Sequence, residues 1–344
     1  MKMRNNQQKP GGLVISLDFE LFWGVRDLRS LDKAEQDRLL VAREMVPKIL
    51  DIFEEFSVSA TWATVGLLFA RSREEAEAYR PTRLPGYLNE ALNPFFEEMG
   101  RSEEEDPFHF APSLIELISS YRNQEIASHS YSHYYSMEPG QTVEEFDADL
   151  ASAVAIAGAS GYKLESYVFP RNQANPAYLD CFNRYGILTY RGTESAPGKR
   201  AHDFSTQQRL HRRAVRLLDA YVNVLGDQCA AWPGEKAPAS VAASRYLRPC
   251  GAAFERFESV HLGRIRGQMK RAAQQGELFH LWWHPEDFAN GGGRNLSMLR
   301  SVLDEFCSLR EQCGMVSLTM AETFRYVERL RNSGDLDYGY VVAS

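Results

Sequence analysis

Short apolar runs rich in β-branched and aromatic residues alternate with amphipathic stretches along most of the chain. Leu13-Val14-Ile15-Ser16-Leu17 is nearly continuous in apolar character, the pattern of a strand buried on both faces. Asp32, with Glu35 three residues on, reads as a capping box. Behind it Leu39, Ala42, Val46, Ile49, Phe53 and Phe56 recur at steps of three and four, one face of a helix. Pro47 interrupts that helix and predicts a kink or a fresh helix start. Further strands are expected at Val58–Val65, Glu125–Ser128, Tyr167–Phe169, Ile187–Tyr190, Leu278–Trp283 and Val316–Leu318. Helices are expected over 70–80, Ser113–Tyr121, from a Thr142/Glu145 cap to Ala159, near Pro176–Tyr185, over 260–275 and 295–312, and after a Thr319/Glu322 cap.

Two segments break the alternation. Pro81–Pro112 carries five prolines and the acidic run Glu103-Glu104-Glu105-Asp106, a long excursion placed to cover a substrate cleft. Residues 192–256 read as irregular apart from a basic helical stretch at 207–224. Strand–helix alternation of this kind predicts a mainly parallel sheet, closed into a barrel or wound on both faces. The expected organisation is one domain over 12–332 with insertions near 81–112 and 192–256, between a polar tail at 1–11 and a C-terminal tail at 333–344.

Composition narrows the partners. Of 344 residues, 44% are hydrophobic and 25% charged, which fits a globular chain. The net charge of −7 argues against a nucleic-acid partner, whose binding rests on basic residues. The longest small-apolar stretch, Ala151–Ala159, is well short of the roughly 20 residues that span a bilayer. The first twelve residues are polar, and no secretion signal is read there. Five cysteines without a CxxC pair point to a reducing, cytoplasmic setting.

In parallel α/β folds the chemistry gathers at the C-terminal ends of strands. Asp18-Phe19-Glu20 follows the first strand, His129-Ser130-Tyr131-Ser132-His133 the third, Pro170-Arg171-Asn172-Gln173 the fourth, and His284-Pro285-Glu286-Asp287 a late one. His129 and His133 are spaced i, i+4, so on a helical turn both imidazoles would face one divalent metal. Asp18 is either a structural acid bonded to amides or Arg171, or a metal ligand or general base. His284, beside Trp282 and Trp283, reads as a general acid, with His280 on the same face of the strand as its competitor.

In this order the motifs resemble those of the polysaccharide deacetylases, carbohydrate esterase family 4. Glu125 to His133 fits the family's second motif, Leu13–Glu20 the first, Ala60–Gly66 the second-strand segment, and Val168–Arg171 the third. The resemblance spans most of 12–190 and resumes at 277–325. It implies a distorted (β/α)7-type barrel of mainly parallel strands and metal-dependent removal of an N-acetyl group from a saccharide. It also implies that His129 and His133 are metal ligands, that Asp18 is the base held by Arg171, and that His284 is the acid. The metal expected is zinc, with nickel, cobalt or manganese as alternatives. Trp23 and Trp283 are expected to bind substrate.

The family's first motif usually has two adjacent aspartates, where this chain has Asp18-Phe19-Glu20. Residues i and i+2 share a side of a strand, so either Glu20 replaces the missing ligand or Asp18 binds metal itself. What orients His284 is left between Glu286 and Asp287. The resulting expectation is a deacetylase of a saccharide or saccharide precursor, free or in a homo-oligomer. Two other readings stay open: an allantoinase-like hydrolase of a small ureide or amide, and a catalytically silent sugar-binding barrel.

Overall fold

The computed structural model describes residues 9–193, 202–251 and 257–332; the C-terminal tail and most of the N-terminal tail lie outside them. Nine strands form one sheet. They are β1 (Gly12–Phe19), β2 (Ala60–Thr64), β3 (Gln124–Ser128), β4 (Ser166–Tyr167) and β5 (Thr189–Tyr190). β6 (Ala239–Ser240), β7 (Arg245–Tyr246), β8 (Leu278–Trp283) and β9 (Val316–Leu318) follow. The order is β6-β5-β4-β3-β2-β1-β8-β7, every paired strand parallel, with β9 against Gly12–Val14 of β1.

The order itself requires curling. β6 and β7 stand at opposite ends of the row, and seven inter-strand spacings would separate them by about 34 Å in a flat sheet. Residues 241–244 are all that joins them in the chain, and that much backbone reaches less than about 20 Å. The connecting segment bonds to both sides: Val241 N donates to Tyr190 O at 2.9 Å, and Ser244 N to His280 O at 2.8 Å. The sheet therefore rolls into a distorted barrel, the architecture the sequence resemblance implied.

Side-chain parity divides the barrel wall. Leu13, Ile15, Leu17 and Phe19 of β1, with Phe279, Leu281 and Trp283 of β8, pack into the main core under the helices. Val14, Ala63, Val168, Val241 and Leu278 fill a second cluster. Continuing the even positions of β1 upward gives Ser16, Asp18 and Glu20, so the two carboxylates rise from the packed interior toward the mouth. Each large side chain fully buried in the outer layer stabilises the fold by about 1.5–3 kcal/mol.

Among the described residues, ten α-helices surround the sheet. The first four are α1 (Lys33–Phe56), α2 (Arg73–Ala78), α3 (Pro112–Ser120) and α4 (Val143–Ala159). Next come α5 (Leu179–Tyr185), α6 (Phe204–Gln207) and α7 (Leu210–Tyr221). The last are α8 (Glu258–Gln275), α9 (Gly292–Cys313) and α10 (Met320–Asn332). Thr142 and Glu145 make a full capping box, and Thr319 and Glu322 bond reciprocally. Asp32 accepts from Glu35 N, but the Glu35 carboxylate turns to Arg29 and Arg38, so that capping box is only half formed. α1 continues as one helix through Pro47, so no fresh helix starts there. An interior proline costs about 3 kcal/mol. Val46, Ile49, Leu50 and Phe53, buried on either side of it, offset that at about 1.5–3 kcal/mol each.

The two insertions differ from expectation. Residues 81–112 coil into short 3-10 turns against the barrel flank, where Arg43 Nη1 donates to the carbonyls of Pro107 and Phe110 at 3.1 Å. They supply no lining to the cleft, which is built from the second insertion instead. Within 192–256 the structure adds β6 and β7, whose two-residue lengths are too short to show as an apolar run.

Candidate metal centre and cleft

The His129–His133 segment is held as a loop. Ser130 and His133 have φ of 63° and 58°, so the helical turn expected from their spacing is absent. Three supports replace it. Asp149 of α4 accepts from the Tyr131 and Ser132 amides at 2.7 and 3.1 Å and from the Ser132 hydroxyl. Ser130 Oγ accepts from Tyr134 N at 2.6 Å. Gly66, just past β2, packs so closely that a Cβ there would lie 2.7 Å from Tyr131 Cα.

This loop brings both imidazoles to Glu20. The Glu20 Oε2 atom lies 3.2 Å from His129 Nε2 and 3.0 Å from His133 Nε2, and all three residues are buried. Gly24 makes room, since a Cβ there would fall on the Glu20 carboxylate. The second ring nitrogens fix the tautomers. His129 Nδ1 faces the Val168 carbonyl at 2.9 Å, which only accepts, so Nδ1 carries the proton. His133 Nδ1 lies 3.2 Å from the Tyr135 hydroxyl, whose own proton goes to Asp27 Oδ1 at 3.0 Å. His133 Nδ1 is thus the donor to Tyr135. Burial pushes His133 down to about 4, so it is neutral at ordinary pH.

The result is two bare Nε2 lone pairs and a carboxylate converging on one point. Three acceptors facing each other repel unless a cation lies between them. The donor set, one oxygen and two imidazole nitrogens whose rings are each held through Nδ1 by the Val168 carbonyl or the Tyr135 hydroxyl, fits a divalent metal.

Asp18 stands apart from that group. It is 3% exposed, and Arg191 holds it with both terminal nitrogens, Nη1–Oδ1 and Nη2–Oδ2 each at 2.6 Å. Burial would raise the Asp18 carboxyl, but the Arg191 guanidinium brings it below the ordinary carboxylate value. Arg191 follows β5 directly and is itself saturated: Asn172 Oδ1 accepts from Nε and Nη2 at 3.0 and 2.8 Å, and Ser16 Oγ from Nη1 at 3.0 Å.

The partner expected for Asp18 was Arg171, and the structure corrects this. Arg171 pairs with Asp27 and lies 4.0 Å from the Tyr135 ring centroid. Its φ of 55° turns it toward the metal side, where it supports the Asp27–Tyr135–His133 chain. The next residue, Asn172, faces Arg191 instead.

His284 completes the mouth. Its Nδ1 lies 2.9 Å from Asp287 Oδ2, which also accepts from the His284 amide at 3.0 Å and the Tyr246 hydroxyl at 2.7 Å. Its Nε2 is 3.8 Å from Asp18 Oδ2 and 3.7 Å from Glu20 Oε1. Burial works against the charge on His284, yet the Asp287, Glu20 and Asp18 carboxylates raise it well above the ordinary imidazole value. Asp287 is thus the orienting acid. Glu286 instead accepts from Leu21 N at 2.7 Å. His280, the competitor, is fully buried between Ser16 Oγ at 2.8 Å and the Val241 carbonyl at 3.1 Å, and burial pushes it down to about 3.

Asp18, Glu20, His133 and His284 open into a cleft of about 440 Å³, floored partly by Trp282. Neither tryptophan expected on substrate lines it. Trp283 has the outward parity of β8 and stacks on Phe288, while Trp23 is buried with its Nε1 donating to His109 O at 3.0 Å. Counting by twos from Leu278 separates Trp282 from Trp283; Arg191, one isolated arginine after a two-residue strand, carried no such signal.

The sequence matches no protein-family model, and no curated protein matches it. Solved structures do match. A candidate polysaccharide deacetylase from Mycobacterium smegmatis aligns over 100% of this chain and 97% of its own, with a TM-score of 0.55 and 13% identity. PuuE allantoinase aligns over 97% and 94%, with a TM-score of 0.55 and 10% identity. A candidate polysaccharide deacetylase from Pseudomonas aeruginosa PAO1 aligns over 95% and 93%, with a TM-score of 0.52 and 9% identity. No helix among the described residues is long and apolar enough to cross a membrane. The resemblance read from the motifs therefore holds at the level of architecture: this chain has the polysaccharide deacetylase fold.

Proposed function

We propose that the protein is a metal-dependent hydrolase that removes an N-acetyl group from a saccharide or saccharide precursor. The observation that carries this reading is the convergence of Glu20, His129 and His133 beside two oriented proton carriers, Asp18 and His284, in one cleft. Glu20, His129 and His133 would hold the metal, zinc being our first choice. Bound there, a divalent metal supplies Lewis-acid polarisation of the amide carbonyl and lowers the pKa of water.

The chain's own groups supply the rest. Asp18, held ionised and in plane by Arg191, accepts the proton of the attacking water. His284 keeps Nδ1–H on Asp287, so its Nε2–H points at the cleft and protonates the departing nitrogen. Water oxygen joins the acyl carbon, the C–N bond breaks, and acetate and a free amine leave. The five cysteines are all free, which supports a reducing, cytoplasmic setting.

A ureide hydrolase is the second reading, favoured by an allantoinase at the same TM-score as the deacetylase neighbour. Purified protein should be offered N-acetylated sugars and cyclic ureides side by side, with acetate and ring-opened product measured. Acetate release alone supports the deacetylase; ring opening alone replaces it with the ureide reading.

A further inference from the structure

The cleft extends past the reacting groups to a wall from the second insertion, where Arg212, Asp219, Arg245 and Arg248 line it. Most charges whose partners can be traced are already paired. Asp18 is paired with Arg191, and Arg171 with Asp27. Asp219 is shared by Arg245 Nη2 at 3.3 Å and Arg264 Nη2 at 3.5 Å. Arg248 is different. Its Nε is buried without a hydrogen-bond partner, and no carboxylate among the described residues pairs with it.

Strand register places it. Tyr246 is level with Trp282, and Leu247 N still donates to Trp282 O at 2.8 Å, so Arg248 stands level with His284 one strand away. Tyr246 and Arg248 line the cleft together with Trp282 and His284. A guanidinium on the cleft wall without a carboxylate partner among the described residues favours a ligand that accepts from it.

We propose that the substrate carries an anionic group, a carboxylate or phosphate, on the amine side of the scissile amide, held by the Arg248 guanidinium. The inference rests on the amide-hydrolase reading for the position of the scissile bond, since His284 serves the leaving nitrogen. The carboxylates Asp18 and Glu20 would repel an anion at the reacting end, which leaves the Arg248 wall as its seat. Arginine suits both anions because its planar fork pairs with two oxygens at once.

The test is calorimetric binding at low ionic strength, read separately from acetate release. N-acetylglucosamine is the neutral probe, its 6-phosphate the phosphate probe, and N-acetylmuramic acid the carboxylate probe. The wild type should bind at least one anionic probe about tenfold or more tighter than the neutral sugar, and which one responds identifies the anion. Arg248→Gln should abolish that preference. Arg248→Lys should retain part of it, which guards against a folding defect in the glutamine variant. Equal affinity for all three probes in the wild type, or binding of neither anionic one, overturns the proposal without any variant. An anion preference that Arg248→Gln leaves intact overturns it as well. Anion-dependent binding without acetate release would uphold the anion seat and reject the deacetylase reading.

Discussion

Arg191 and Asp18 form a closed pair, two nitrogens on two oxygens at 2.6 Å each, at the floor of the cleft. Arg191 is 1% exposed and Asp18 3%, so neither charge can be left alone cheaply. Breaking such a buried pair from one side costs about 3–5 kcal/mol. Arg191→Met should lower stability by that order in a denaturant titration. Arg171→Met should leave the Asp18 geometry intact and act on metal affinity instead. Equal loss of stability with metal affinity unchanged in Arg171→Met would reject this division of labour.

Tyr135 links the metal side to Asp27 through one hydroxyl. Tyr135→Phe removes the group that fixes the His133 tautomer and keeps the ring under Arg171. Metal affinity by chelator competition should fall about 10–100-fold, the usual effect of losing such an outer partner. An unchanged affinity would show that His133 needs no such support.

His284 provides the pH signature. Its raised pKa means that the acid form persists above the ordinary value of 6.5 and that turnover is lost as pH climbs through the raised value. The sign for stability is the same: the contribution is full below 6.5 and disappears as pH rises through the folded value. Asp287→Asn removes the nearest carboxylate that raises it. The alkaline limb of the kcat profile should move to lower pH in that variant; an unmoved limb would reject His284 as the acid.

The two adjacent tryptophans should separate cleanly. Trp283→Ala empties a core site and should cost about 3–5 kcal/mol of stability. Trp282→Ala should cost less stability and raise KM, since that ring lines the cleft and lies 4.5 Å from the Arg191 guanidinium. The reverse pattern in thermal melts and steady-state kinetics would contradict the parity assignment.

Much of this was legible in the sequence. Nearly continuous apolar runs such as Leu13–Leu17 and Leu278–Trp283 declare themselves, and the polar residues that follow them fall at the barrel mouth. Strand parity put Glu20 on the same side as Asp18 and left open which of the two stands with the histidines; Glu20 lies with His129 and His133. What failed was whatever depended on short elements or non-helical backbone. The His129–His133 loop uses positive φ at Ser130 and His133, which spacing cannot reveal. Arg171 and Arg191 exchanged roles because a left-handed turn at 171–172 swings one away and presents Asn172 to the other. β6 and β7 escaped notice because two residues make no pattern, though they close the barrel and position Arg248.

The most direct measurement is the metal content of purified protein by mass spectrometry, with Glu20→Gln and Asp18→Asn beside the wild type. The wild type and Asp18→Asn should each hold about one divalent metal per chain, and Glu20→Gln should lose it. A wild type that stays metal-free after supply of zinc, nickel and manganese, or an Asp18→Asn variant that loses metal while Glu20→Gln keeps it, would contradict the assignment of this centre.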